Sequence, residues 1–370
     1  MSTLVLPRRT DLKSLVKGCF DHHSHACRWM TFRDEYFRHE GGIANFMDIS
    51  LRAKQDSTGA LHRGIAYSEE CLYARMKSVF ELKWRAGEAG VYAIVDCSDD
   101  IEGRAFEVAL RLKKEFAAKG YTILVGVYSI LGFREWGSKR EQEIDRLAPR
   151  ADFFVCLPER DDHPDHSMNA LGHLYKMIAL AIKYKKPLQI HAGQKDISAE
   201  TDVEKIIAAV ALLVNSSGIP LEDRPKISIV HATSTSCRDD DYLGEIVKGF
   251  RDNNIELIVC PVATSSTRRD RSFHDPSHNP IARVREFILG GVTVRIGTDN
   301  IDDIFVPWQD DPLLARELPV LANLLRFSHE SVLRKIFTGE PFYSTDLTKI
   351  QASLVSDYEA WKMPFPTWLQ

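Results

Sequence analysis

The chain has 370 residues, 44% of them hydrophobic and 27% charged, and a formal net charge of −4. That length fits one large domain or two ordinary ones, and that apolar share supports a sizeable core and excludes a disordered chain. The near-balanced charge excludes a global field for nucleic acid or an anionic membrane surface. The opening MSTLVLPRRTDLKS places charges where a secretory signal would have its apolar core. No apolar run approaches the roughly 18 residues needed to span a bilayer. Seven cysteines, at 19, 27, 71, 97, 156, 237 and 260, form no CxxC and several sit inside apolar runs. Such thiols behave as small hydrophobes, and a reduced, cytoplasmic protein is expected.

Along the chain, short apolar runs alternate with longer helix-periodic segments. GCFDHHSH (18–25) comes first and is followed by an unusually long connection, 26–67, and a helical pattern at 68–88. VYAIVDCS (91–98) precedes the helix 101–120, and YTILVGVYSI (121–130) and ADFFVCLP (151–158) precede 168–186. PLQIHAG (187–193) leads to 199–217, KISIVHAT (226–233) to 240–252, IELIVCPVA (255–263) to 281–289, and TVRIGTD (293–299) to 312–327. Runs this apolar and this short mark strands buried on both faces. Several intervening segments end in Lys or Gly, as helix C-termini do.

Eight such strands predict an α/β fold, a (β/α)8 TIM barrel. An open doubly wound sheet is the alternative, but no glycine-rich phosphate loop follows the first strand. The expectation is a single domain over 1–370, with a barrel core at about 18–330 and a C-terminal helical extension, 331–370. That tail ends in WKMPFPTWLQ, which packs either on its own barrel or on a partner subunit, so homo-oligomerisation stays open. The 26–67 connection is too long for an ordinary βα loop and reads as a lid or a substrate wall.

In a barrel, chemistry gathers at the C-terminal ends of the strands. Strand one ends Asp21-His22-His23-Ser24-His25, strand five at His191, strand six at His231 and strand eight at Asp299. Strand alternation puts His23 and His25 on one face and His22 on the other, toward the helices. His23, His25, His191 and Asp299 then form a set of three imidazoles and one carboxylate. That set suits one divalent ion, Zn²⁺ foremost, with Fe²⁺ or Mn²⁺ also compatible, and leaves a position for water.

These motifs resemble the amidohydrolase superfamily, specifically its adenosine- and cytosine-deaminase-like members. HSH resembles the first-strand HxH, HAGQ the HAGE motif, IVHAT the sixth-strand histidine, CPVATS the CPxSN region and IGTDN the eighth-strand GTDD. The likeness covers roughly 18–310. It implies a metal held by His23, His25, His191 and Asp299, with Asp299 as base and His231 bonded to water or substrate. It also implies a barrel without the small β-sandwich that many members carry. Strand four, FFVCLPER, lacks the lysine of binuclear members, which favours a single metal, with Glu159 as an alternative bridging ligand.

Gln194 stands where the resembled deaminases have a proton-shuttling glutamate. An amide has no usable proton to transfer near neutral pH. Three readings follow. The chain hydrolyses a cyclic amide-like C–N bond, with Gln194 holding a carbonyl or amide edge. Alternatively, it deaminates an aromatic amine with an acid from Asp196, Glu200, Asp302 or Asp303. In the third reading it is a catalytically weak binding protein. The partner in each case is a small molecule, not nucleic acid or a membrane.

Arg28, Trp29, Asn300 and Trp308 are the candidate substrate contacts, Trp308 as a stacking platform. The basic loop 264–280 could meet an anionic substituent, although a solvated loop with His274 and His278 at the surface is the simpler reading. ERDDHPDH (159–166) reads as an exposed loop more than a second ion site. Arg295 shares the strand face of Asp299 and needs a buried partner, for which Asp21 is the expectation.

Overall fold

The computed structural model describes residues 16–38, 41–46, 49–266 and 279–370. Its eight strands are β1 (Phe20–Ser24), β2 (Gly90–Asp96), β3 (Thr122–Tyr128), β4 (Phe153–Cys156), β5 (Leu188–Ala192), β6 (Ile227–His231), β7 (Ile255–Val259) and β8 (Val294–Ile296). They pair in parallel in the order β1 to β8. The sheet closes where Ser24 pairs with Asp299. There the Asp299 amide donates to the His23 carbonyl at 2.7 Å and the His25 amide to the Asp299 carbonyl at 2.9 Å. Gly297 permits that approach, because a Cβ there would lie 2.6 Å from the His23 Cβ.

Helices fill the outer layer: α1 (Leu51–Arg63), α2 (Glu69–Arg85), α3 (Arg104–Ala117), α4 (Lys139–Leu147), α5 (Ala170–Tyr184), α6 (Asp202–Val210), α7 (Asp240–Asp252), α8 (Pro261–Ser265) and α9 (Val284–Leu289). After β8 come α10 (Glu317–Leu325), α11 (Glu330–Thr338) and α12 (Ser344–Ala360). Strand alternation produces two apolar layers. Val91, Ala93 and Val95 of β2 pack outward with Phe106, Ala109 and Leu112 of α3 in the main core. Tyr92 and Ile94 point inward to Phe153 and Val155 of β4. The expected α/β barrel is the fold observed. The helix expected over 199–217 is α6 continued by a π-turn at Ala211–Asn215.

The first strand departs from simple alternation. Its register against β2 shifts between Asp21 and Ser24. His23 and His25 still share the mouth, but His22 does not face the helices as expected. It stacks on Tyr92, with ring centroids 5.5 Å apart, inside the barrel. Asp21 instead faces outward. Its carboxylate accepts from the Thr298 hydroxyl at 2.6 Å and from Lys83 Nζ of α2 at 2.7 Å. The expected Asp21–Arg295 pair is therefore absent. Arg295 points inward and lies 3.5 Å from Glu256 of β7.

Lys83, Asp21 and Glu88 are all fully buried, with Lys83 Nζ 3.5 Å from Glu88 Oε2. Removing the one cation strands two carboxylates in the core. Lys83→Met is expected to lower unfolding stability by roughly 3–5 kcal/mol. Urea denaturation checks this, and a loss below about 1 kcal/mol would mean the pair behaves like a surface one.

The tail packs on its own barrel. Ile350 and Leu354 of α12 are buried. Tyr358 Oη donates to Asp240 of α7 at 2.8 Å, and the Trp368 indole donates to the Asp240 carbonyl at 3.1 Å. Among the described residues, no helix is long and apolar enough to cross a membrane.

Candidate active site

The ends of β1, β5, β6 and β8 bring the candidate ligands together. One ligand atom from each of His23, His25, His191 and Asp299 lies within 4.8 Å of all the others. His23 Nε2 is 3.1 Å from His191 Nε2 and 3.6 Å from Asp299 Oδ1. His25 Nε2 is 3.2 Å from that same oxygen. Donors held about 2.1 Å from one tetrahedral ion stand roughly 3.4 Å apart, so the donor spacing fits a shared ion.

Hydrogen bonds behind the rings fix what faces the centre. His191 Nδ1 lies 3.2 Å from the Cys156 carbonyl, which can only accept. Gln189 donates its amide to the His22 carbonyl at 2.8 Å. Its Oε1, 2.7 Å from His23 Nδ1, is then also an acceptor. Both rings therefore carry a proton at Nδ1, and as neutral imidazoles they would turn lone pairs at Nε2 toward each other. Two lone pairs at 3.1 Å cannot bond one another; a cation between them resolves the contact.

The protonation states agree. Burial drives His191 well below the ordinary imidazole range and lowers His25 to about 4. Burial alone would raise the Asp299 carboxyl, but the histidines around it, His23 and His25 foremost, hold it well below its usual value. Neutral imidazoles and an ionised carboxylate are what metal ligation requires.

His231 reaches the mouth by a different route. Ser228 and Val230 take the inward positions of β6, so plain alternation would turn His231 outward. Its φ of 77° and that of Ala232, 51°, redirect it. Its Nε2 ends 3.7 Å from Asp299 Oδ2, and burial lowers it to about 4. Asp299 itself sits at φ 55°. Left-handed backbone at non-glycine residues concentrates at functional sites.

Above the ligands opens a cavity of about 60 Å³, lined in part by Gln194, His231, Asn300 and Arg28. Arg28 is clamped by Asp96, with Nε to Oδ2 at 3.0 Å and a terminal nitrogen to Oδ1 at 2.5 Å. Its other terminal nitrogen donates to Asn300 Oδ1 at 3.3 Å. Asn300 in turn donates to Asp299 Oδ1 at 2.9 Å. Burial would raise Asp96, yet Arg28 beside it, aided by His62, holds it well below the usual range.

Two expected contacts lie elsewhere. Trp29 is buried against α2, its indole donating to Ser78 at 2.9 Å. Trp308 is 81% exposed, its ring 5.8 Å from Phe32. The same segment instead supplies Phe305 and Val306 to the cavity. Leu51, Lys54 and Gln55 of the long first connection line another wall, as a substrate wall would.

None of the four acids considered as substitutes for the missing glutamate lines the cavity. Asp302 binds Arg33, Asp303 accepts from the Phe305 and Val306 amides, and Glu200 accepts from Ser234 and the Lys195 amide. Asp196 is within reach of the Cys237 thiol at 3.5 Å. Glu159 groups with Glu200 and Asp202, not with the histidines, and so does not bridge the metal position.

The 159–166 stretch is only partly the exposed loop expected. Asp161 is buried and accepts from the Phe133 and Arg134 amides at 2.8 and 2.7 Å. His274, His278 and most of the basic 264–280 loop lie outside the described residues.

Sequence pattern alone missed Tyr128, Lys54, Gln55 and Phe305. Tyr128 ends the third strand, a signal that was available; Lys54 and Gln55 lie on α1 within the long first connection, and Phe305 on the connection after β8.

No protein-family model and no curated protein matches the chain by sequence. Solved structures do. A 5-methylcytosine deaminase from Klebsiella pneumoniae aligns at TM-score 0.71 and 15% identity, over 92% of this chain and 75% of that one. N-isopropylammelide isopropylaminohydrolase from Burkholderia multivorans aligns at 0.63 and 15%, over 90% and 74%. Helicobacter pylori aminofutalosine deaminase aligns at 0.50 and 16%, over 90% and 74%. The chain therefore has the (β/α)8 fold of these deaminases and aminohydrolases, the fold that its amidohydrolase-like strand-end motifs lead one to expect.

Proposed function

We propose that the chain is a metal-dependent hydrolase of the amidohydrolase superfamily that cleaves a C–N bond, other than a peptide bond, in a small cyclic nitrogen compound. The observation that carries this reading is the pair of Nε2 lone pairs of His23 and His191 facing each other at 3.1 Å beside His25 and Asp299. Those four residues would hold one divalent ion, Zn²⁺ foremost given three nitrogens and one oxygen, with Fe²⁺ or Mn²⁺ as alternatives. When bound, the ion supplies Lewis acidity and lowers the pKa of a coordinated water toward about 7.

The chain's own groups do the rest. Asp299 is held ionised and can take a proton at a carboxylate oxygen. His231, 3.7 Å from Asp299 Oδ2, is neutral and can stabilise charge or relay that proton. The Arg28–Asn300–Asp299 chain of hydrogen bonds fixes the carboxylate and bounds the substrate cavity. Gln194 binds substrate without exchanging a proton.

The cyclic amide reading is favoured because a single Asp299 can serve both proton transfers, and no substitute acid lines the cavity. The second reading, an aminohydrolase of a nucleobase-like amine, draws its support from the deaminases of like fold. Metal-loaded protein should be assayed against cyclic amides, cyclic ureas and aminated heterocycles, following ring opening and ammonia together. Ring opening without ammonia is expected. Ammonia release from an aminated ring would establish the second reading, and failure of every class would leave only a binding protein.

A further inference from the structure

Gln194 lines the cavity above the candidate metal ligands, and its neighbours bear on which end of its amide a ligand meets. Its Nε2 is 2.9 Å from Glu159 Oε1, on the turn after β4. The other Glu159 oxygen lies 3.3 Å from Lys195 Nζ. A carboxylate offers acceptors, so it takes the NH2 of the amide. The reverse orientation would set a carbonyl oxygen against a carboxylate oxygen at the same 2.9 Å. The amide nitrogen is thus turned toward Glu159, which does not line the cavity, while Gln194 does. Glu159 engages one of the two amide N–H groups, and the group it leaves wholly unpaired for a ligand is the carbonyl oxygen, an acceptor.

We infer that Gln194 selects substrates by presenting an acceptor, so that the ring position meeting it is an N–H of a lactam, imide or ureide and not a ring nitrogen bearing a lone pair. This rests on the proposed C–N hydrolase reading and narrows its substrate class. A glutamate here could donate a proton to a ring lone pair; the oriented amide opposes one. Glu159 touches no substrate in this account. It is a positioning residue, and without it the amide can rotate and accept either kind of edge. Asn300 offers no such choice, because its amide nitrogen is bonded to Asp299 and its carbonyl oxygen to Arg28.

The test uses the zinc-loaded full chain and two probes of one ring shape. Uracil carries N–H at the ring position where cytosine carries a lone pair. Uracil is expected to bind on the order of tenfold tighter or more, the discrimination typical of a site whose polar group would otherwise be unpaired. In Glu159→Leu and in Gln194→Leu that ratio should fall toward one, with zinc content unchanged in Glu159→Leu. A second readout needs no ligand. The Gln194 side-chain NH2 signal, identified by its loss in Gln194→Leu, should exchange slowly with solvent in the wild type and quickly in Glu159→Leu. Equal or tighter cytosine binding by the wild type, or amide exchange indifferent to Glu159, would overturn the inference. If metal-dependent turnover fails while the ratio and the exchange behave as stated, the hydrolase reading falls and the acceptor assignment stands.

Discussion

His191→Ala should leave a folded barrel that no longer holds its metal and has lost essentially all turnover. In the proposed site the ring would supply one of four donors, its Nε2 aimed by the Cys156 carbonyl 3.2 Å behind it. Disturbing such a supporting bond typically costs roughly 10- to 100-fold in metal affinity or activity, so deleting the ligand should cost more. Metal content by elemental analysis should drop from about one ion per chain to near zero after dialysis, while circular dichroism stays that of a folded barrel. Retention of a full equivalent would remove His191 from the ligand set. The same change relieves the repulsion between facing lone pairs in the metal-free protein, so the apo variant should lose little stability or gain some. A structural histidine would behave in the opposite way.

Asp299→Asn is the second large effect, and it separates ligation from proton transfer. The amide oxygen can still approach a metal, but it cannot take up a proton as the ionised Asp299 carboxylate is proposed to do. Loss of a positioned general base costs roughly 100- to 10,000-fold in rate. The fall should appear in kcat and persist when excess zinc restores full metal occupancy. Recovery of wild-type kcat at full occupancy would assign the proton transfer to another group. His231→Ala should lower the rate less under this account, since His231 assists Asp299 and does not replace it.

Much of this site could be read in the sequence because strand ends are conspicuous. A histidine or aspartate that closes an apolar run stands out, and a barrel gathers all such ends at one mouth. That logic placed His23, His25, His191, His231 and Asp299 together. It failed where backbone geometry departs from alternation. The register shift in β1 turns His22 inward onto Tyr92 and Asp21 outward to Lys83. Neither partner adjoins strand one in sequence, and plain alternation points Asp21 to Arg295 instead. Its mate is Glu256 on the neighbouring strand. His231 arrived at the predicted place through a left-handed backbone that no side-chain period announces.

The connections were less legible still. Trp308 looked like a stacking platform by residue type, yet chain direction after β8 carries it to the surface and sets Phe305 at the cavity. Trp29 lies four residues after His25, a candidate metal ligand, and still turns away, because a 3-10 turn at Ala26–Arg28 directs Arg28 inward and the indole toward α2. The meaning of Gln194 also needed the fold. In sequence it marks only a missing acid; in space Glu159 shows which way its amide faces.

The most direct test is an anomalous difference map from zinc-soaked crystals, collected on both sides of the zinc edge. The account predicts one strong peak about 2.0–2.2 Å from Nε2 of His23, His25 and His191 and from the Asp299 carboxylate. A map with no peak there, or with its peak on other ligands, would contradict it.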